Sequence, residues 1–373
     1  MDVIEAPKAG TSGQPKPTAG LRQKIIDCDI HPSIRSLDDL VPYLPARWAA
    51  HIKTYGLRHK KAFLDSMTYP RATPALSRGD AWPPDGPPGS DLSFMQAQHL
   101  DFYDVEFGLM HLLVPTGMDQ RNQEFGTAMC RALNEWQFNE WTQKEPRLRA
   151  GLVVPGEDVD AAIREIERWA GYKDFAQITL VSHTSEPLGR RRYWKIYEAA
   201  AANGLPIGLH GAGENGNPLC GAGWHETYFE FHRVGMLAQQ GLVSSFVTEG
   251  VFAHLPKLKL VIVEGSFAWV PAVGWRLDQI WSRTRDEVPH LTRPPSEYMR
   301  ENVWYTTQPC DEPERPEQLR QIIDWIGWDR LLFSSDYPHW DSDDPRYSPA
   351  IPMSEAERRG LLYENARKVY DLR

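Results

Sequence analysis

Apolar and polar positions alternate along this chain in two registers that keep exchanging places. Short apolar runs of strand type end at a proline, a glycine or a polar residue, and each is followed by a longer stretch with apolar residues at 3 to 4 spacing. The run KIIDCDIH (24–31) breaks at Pro32, FGLMHLLVP (107–115) leads into a helical pattern over 122–144, and LRAGLVVP (148–155) precedes a helix over 158–170. A strand over 175–181, a helix over 193–203 closed by Gly204, and a strand over 206–210 continue the series. Helices over 228–240 and 244–254, a strand over 258–263, a helix after Pro271 and a strand over 303–306 follow. A helix over 316–326, a strand over 331–334 and a helix over 354–370 complete it.

Strands alternating with helices imply βαβ units and a parallel sheet. About eight strands, with no GxGxxG or GxxxxGK[ST] after the early ones, predict an α/β fold of the closed (β/α)8 (TIM) barrel kind rather than a nucleotide-binding open sheet. Residues 1–22 are rich in Pro, Gly, Lys and Thr without period and are expected to form a flexible tail. Residues 23–373 are expected to form one barrel domain, with a Pro-rich insertion at about 69–95 that is unsuited to a helix or a central strand.

Composition narrows the function. The 373 residues carry 41 Lys and Arg against 50 Asp and Glu, a net charge of −9, without a dense basic block, which argues against a nucleic-acid partner. No run of about 18 apolar residues occurs and the first twenty residues lack a secretory apolar segment, so a cytoplasmic protein with no membrane association is expected. Cys28, Cys130, Cys220 and Cys310 stand singly with no CxxC pair, which fits neither a disulfide framework nor a thiolate zinc site.

In such a barrel, chemistry collects where strands end. The first strand ends Asp29-Ile30-His31, whose i, i+2 spacing sends both side chains to one face. The strand PIGLH ends in His210, with Gly211 and Gly213 after it, and LLFSSD ends in Asp336. A carboxylate at the mouth of an apolar strand is costly unless paired or metal-bound. Asp29, His31, His210 and Asp336 form a mixed nitrogen and oxygen set suited to Zn, Mn or Fe.

These residues, with VFAHLPKLKLVIVEGSFAW and SSDYPH, resemble the amidohydrolase-related proteins of the aminocarboxymuconate-semialdehyde decarboxylase group over about residues 24–373. The resemblance implies a metal-dependent barrel with the metal on Asp29, His31, His210 and Asp336. It also implies hydrolysis or non-oxidative decarboxylation of a small carboxylated substrate, aided by a histidine after the PKLK strand. Here that position is Glu264, which exchanges a group titrating near neutrality for a carboxylate, a good ligand for hard metals.

His232 and His339 are two further candidate ligands. Together with Asp29, His31, His210, Glu264 and Asp336 they offer more donors than one tetrahedral ion needs. A surplus of this kind suggests two ions, Fe or Mn, with a carboxylate between them, or Zn if the chemistry is hydrolytic. The variant is similar to the branch that contains the dinuclear Mn/Fe 2-aminoisobutyrate hydroxylase. The leading expectation is therefore an oxygenase acting with O2 on a C–H bond of a small amino or carboxylic acid, with Glu264 and Asp336 as catalytic residues. A metal-dependent hydrolase or decarboxylase is the alternative. A homo-oligomer, or a hetero-oligomer with a homologous subunit, is expected.

His111, His183, His225, His254 and Glu249 lack a strand-end context and are expected to be bystanders. Trp269, Trp275 and Trp281 are expected to pack or to line an interface, and Arg190, Arg191 and Arg192 to form a solvated helix entry.

Overall fold

The computed structural model describes residues 23–57, 76–113, 115–118, 120, 122–182, 184–211 and 227–373. The sheet has eight parallel strands in sequence order: β1 (Ile25–Ile30), β2 (Val105–Met110), β3 (Leu148–Val153), β4 (Phe175–Val181), β5 (Ile207–His210), β6 (Leu260–Val263), β7 (Val303–Thr306) and β8 (Leu331–Leu332). The chain after β8 returns to β1 through Cys28 N to Phe333 O (2.9 Å), Asp336 N to Asp29 O (3.1 Å) and His31 N to Tyr337 O (2.8 Å), which brings the barrel round on itself. The fold is the (β/α)8 barrel that the alternation predicts.

The strands are buried on both faces, and their residues divide between two apolar clusters, as strand geometry requires. Ile25, Leu148, Ile178, Ile207 and Leu260 pack against the helices. Ile26, Cys28, Leu109, Val261, Val263 and Leu332 face the other way and are plugged by Ala366, Val369, Tyr370 and Leu372 of the last segment. Cys28 is a buried thiol whose pKa burial pushes up, and among the described residues Cys28, Cys130 and Cys310 are unbridged, while Cys220 lies outside them.

Helix boundaries follow their caps. Asp158 accepts from Ala161 N and opens Val159–Trp169, and Asn122 accepts from Phe125 N and opens Gln123–Trp136. The helix expected to break near Gly241 instead runs unbroken over Tyr228–Thr248. A Cβ on Gly241 would meet nothing within 4 Å, so nothing there needs glycine's freedom, and the break falls at Gly250, whose φ is +85°. Strand β8 is two residues long rather than four, because Ser334 and Ser335 turn their side chains into bonds with Gln308 N and Asp27. Helices Ala46–Tyr55 and Pro295–Asn302 escaped the sequence pattern.

The Pro-rich insertion is described from residue 76 onward. Leu76 O accepts from Trp340 N, Arg78 N donates to Pro338 O, and Ser33 N donates to Gly89 O, so this segment lies along the backbone that carries His31 and His339. A Cβ on Gly89 would stand 2.3 Å from His31 O, so only glycine lets the insertion approach so closely. Among the described residues, no helix is long and apolar enough to cross a membrane.

Candidate active site

The barrel brings the strand-end residues to one place. Asp29 is fully buried, and His31, His210 and Asp336 are at most 5% exposed. His31 Nε2 lies 3.2 Å from Asp29 Oδ1 and 2.7 Å from Asp336 Oδ1, and His210 Nε2 lies 3.1 Å from Glu264 Oε2 and 3.6 Å from Asp29 Oδ2. His339 Nδ1 is 2.6 Å from Asp336 Oδ1, and its ring stacks on His31 at 4.4 Å. Donor atoms of Asp29, His31, His210 and Glu264 all fall within 4.8 Å of one another, and so do those of His31, Glu264, Asp336 and His339. The two groups share His31 and Glu264.

Among the described residues, both carboxyl oxygens of Asp29 and both ring nitrogens of His210 are buried without a hydrogen-bond partner, although ionisable groups stand within 4 Å of the Asp29 oxygens and of His210 Nε2. Such atoms are close but not aligned on one another. Buried polar atoms are nearly always paired, and a divalent cation between these donors removes the deficit. The residues therefore fit a hard or borderline ion held by carboxylate and imidazole.

The surroundings hold the donors in place. His31 Nδ1 donates to His111 O at 2.9 Å, which leaves Nε2 with its lone pair toward the site. Glu264 and Asp336 both adopt left-handed backbone, at φ +49° and +63°, a conformation that costs a non-glycine residue about 1–3 kcal/mol and collects at functional sites. Gln239, in helix Tyr228–Thr248, donates to Leu209 O (3.4 Å) and Val263 O (2.9 Å), binding together the ends of β5 and β6 that carry His210 and Glu264 respectively. A Cβ on Gly265 would fall 1.6 Å from Gln239 Oε1, so the turn after Glu264 depends on that glycine. Trp269 Nε1 donates to Gly265 O, which makes this tryptophan a brace of the same turn.

His111 corrects the sequence reading. Strand β2 ends at Met110, so His111 follows a strand end and is fully buried, with its ring 5.5 Å from that of His210. Burial, reinforced by His210 and His31, holds it down at about pKa 3, so it stays neutral, and Gln177 of β4 lies 2.9 Å from its Nε2. Gln177 reaches it across Gly208, where a Cβ would come within 2.6 Å of the amide.

His232 belongs to neither donor group. Its Nε2 pairs with Asp341 Oδ2 at 3.0 Å, and Gln308 Nε2 donates to the same oxygen at 3.0 Å. The Asp341 bond raises its pKa against the effect of burial, with lesser help from the charges of Asp341, Glu264 and Asp336. His183 and His225 lie outside the described residues. His254 pairs with Glu198, and Glu249 with Arg190, both at the surface. Trp275 is exposed.

Without metal, the carboxylates keep protons on the histidines. Burial alone would lower His210, but Asp29 and Glu264 push it up to about 10, and Asp336 with Glu264 pushes His339 up to about 9. Burial would likewise raise Glu264, but His210, His339 and His31 hold it below the ordinary carboxylate range. An ion must displace these protons, so its affinity is expected to rise with pH up to about 9–10. Titration calorimetry of the metal-free protein with Mn²⁺ at pH 7.5, in buffers of different ionisation enthalpy, should show about one to two protons released per ion. Heats that do not depend on the buffer would contradict this charge state.

Fold and donor set together are those of a (β/α)8 barrel with a candidate metal site where its strands end. The amidohydrolase family model matches residues 26–372, and the chain belongs to that family. Among known proteins it is similar to γ-resorcylate decarboxylase of Polaromonas sp., at 23% identity over 76% of this chain and 88% of that one. Among solved structures it is similar to the Polaromonas dihydroxybenzoic acid decarboxylase with bound manganese and 2-nitroresorcinol (TM-score 0.64, 20% identity, 94% and 97% of the two chains). It is also similar to 5-carboxyvanillate decarboxylase from Sphingomonas paucimobilis (TM-score 0.69, 22% identity, 94% and 99%).

Proposed function

We propose that this protein is a metal-dependent, non-oxidative decarboxylase of a small carboxylated substrate, with hydroxylated aromatic acids as the first class to examine. The observation that carries the reading is the set of buried, unpaired donor atoms on Asp29 and His210, converging with His31, Glu264 and Asp336 where the strands end. The activities named for the relatives favour decarboxylation over the oxygenase expected from the donor surplus.

Asp29, His31, His210 and Asp336 would hold the ion, and Glu264 stands beside them. A divalent ion there supplies a Lewis acid that neutralises and orients an anionic substrate. The chain's own residues manage the proton. Decarboxylation breaks the bond between carbon and carboxylate, releases CO2 with the electron pair left on carbon, and requires one proton at that carbon. Glu264, held well down as an anion, is a poor proton donor. His232, kept protonated beyond its ordinary range by Asp341, is the group suited to give it.

His232→Gln is expected to lower kcat about 10²–10⁴-fold, the usual worth of a general acid, while metal content stays unchanged. Metal lost in step with activity would instead make His232 a ligand.

One observation favours a second reading. The two donor groups overlap at Glu264, a carboxylate with an oxygen for each of two ions, as a dinuclear O2-using centre of Fe or Mn would use. Protein reconstituted anaerobically with Fe²⁺ or Mn²⁺ separates the two readings. One ion per chain, with CO2 release and no O2 uptake, supports the decarboxylase. Two ions per chain, with O2 consumed and the substrate hydroxylated, would replace it.

A further inference from the structure

Behind the donor set, on the helix side of β1, lies a polar cluster that the proposed chemistry does not use. Asp27 is fully buried, and Ser335, Tyr337 and His99 are each at most 2% exposed. Asp27 Oδ1 accepts from Ser335 N (2.8 Å) and Asp29 N (3.2 Å), and Oδ2 accepts from Ser335 Oγ (2.5 Å) and His99 Nε2 (2.7 Å). All four acceptor positions of one carboxylate are therefore filled. His99 arrives from the helical segment Gln96–Leu100, and its ring stacks on Tyr337 at 4.7 Å. Tyr337 N donates to Ser335 Oγ, and the Tyr337 hydroxyl donates to Gln98 Oε1 at 2.9 Å.

The placement of these bonds gives the cluster its meaning. Asp29 N belongs to a candidate ligand at the end of β1, and Ser335 immediately precedes another, Asp336, beyond β8. Asp336 N in turn donates to Asp29 O at 3.1 Å, so the two short segments are tied at both ends. A buried carboxylate costs several kcal/mol of desolvation, and packed apolar side chains usually give a barrel the same stability. What they cannot give is a fixed separation between two backbones, one of which holds Asp336 in a left-handed conformation.

We propose that Asp27, braced by His99 and Ser335, is a positioning residue that clasps β1 to the segment after β8 and so sets the spacing of Asp29, His31 and Asp336 for the ion. The proposal rests on the metal-site reading above and adds to it a residue with no ligand role of its own.

The test is Mn²⁺ binding to the metal-free full-length protein, followed by the spin-resonance signal of free Mn²⁺, with thermal unfolding measured in parallel. Asp27→Asn puts an amide donor against groups that already donate. It should raise the Mn²⁺ dissociation constant about 10–100-fold, the usual effect of losing a partner that orients ligands. Ser335→Ala should raise it less, and Ser335→Thr, which restores the hydroxyl, should bring it back toward the parent value. Ile196→Ala, at a fully buried site in helix Trp194–Ala202, lowers stability without touching the cluster. It should leave the dissociation constant within about twofold.

Asp27→Asn with the parent's Mn²⁺ affinity would overturn the clasp even if its unfolding temperature fell. Should Asp27→Asn not fold, Ser335→Ala and Ser335→Thr decide by the same criterion. A parent protein that binds no Mn²⁺ would bring down the metal-site reading and the clasp with it, an outcome separate from a parent that binds and a variant that binds equally.

Discussion

Asp336→Asn is expected to bring decarboxylation below detection and to raise the Mn²⁺ dissociation constant about 100-fold or more, since a direct ligand should count for more than the partners that orient ligands. The metal-free variant should also unfold below the parent's temperature at neutral pH, because the Asp336 carboxylate helps keep the buried His339 protonated, at a pKa raised to about 9. Asparagine keeps the shape, tolerates the left-handed backbone at φ +63°, and retains an oxygen to accept from His339. Metal titration and thermal unfolding of the same preparation check both halves. A variant that is less stable without metal, yet binds Mn²⁺ normally, would show that Asp336 serves the fold and not the ion.

Glu264→Gln is the second large expectation. Glu264 is a member of both donor groups, and its side chain is 24% exposed, the most open of the set that surrounds His210. In the mononuclear reading, Asp29, His31, His210 and Asp336 suffice to hold the ion. The variant should then keep one Mn²⁺ per chain while kcat/KM falls about 10²-fold, or about 2.7 kcal/mol of transition-state stabilisation, because an amide no longer holds His210 and His339 as the carboxylate does. Metal analysis of parent and variant, with kinetics on each, distinguishes the outcomes. A fall from two ions to one would make Glu264 the shared ligand of a dinuclear centre.

The strand-end reading picks out residues that the barrel brings together where a polar residue closes an apolar run. Asp29, His31, His210 and Asp336 each mark the end of a run, and the barrel converts that one-dimensional signal into a ring of side chains. Glu264 stood out only through the resemblance, by departing from it, and His339 by standing three residues after Asp336. What stayed hidden depends on pairing between distant segments. His111 sits inside FGLMHLLVP, where nothing in the local sequence shows that β2 stops one residue earlier. Asp27 and Asp29 read alike on paper, yet one faces the helices and His99 while the other faces the donor set, because the pairing of β1 with β2 shifts between Asp27 and Ile30. Gln177 and Gln239 are unremarkable in sequence. Their roles come from Gly208 and Gly265, whose missing side chains leave the space that the amides fill. His232 was grouped with the ligands on residue type alone, and the structure sets it against Asp341.

Release of CO2 from a panel of hydroxylated aromatic acids tests the central claim most directly. It is to be followed in sealed anaerobic vessels with metal-free protein and with the same protein after Mn²⁺ is restored. A metal-dependent, non-oxidative decarboxylase should give stoichiometric CO2 and the proton-substituted product from at least one acid, only with metal present and without any need for O2. Product formation that requires O2, or CO2 release equally fast in the metal-free protein, would contradict it.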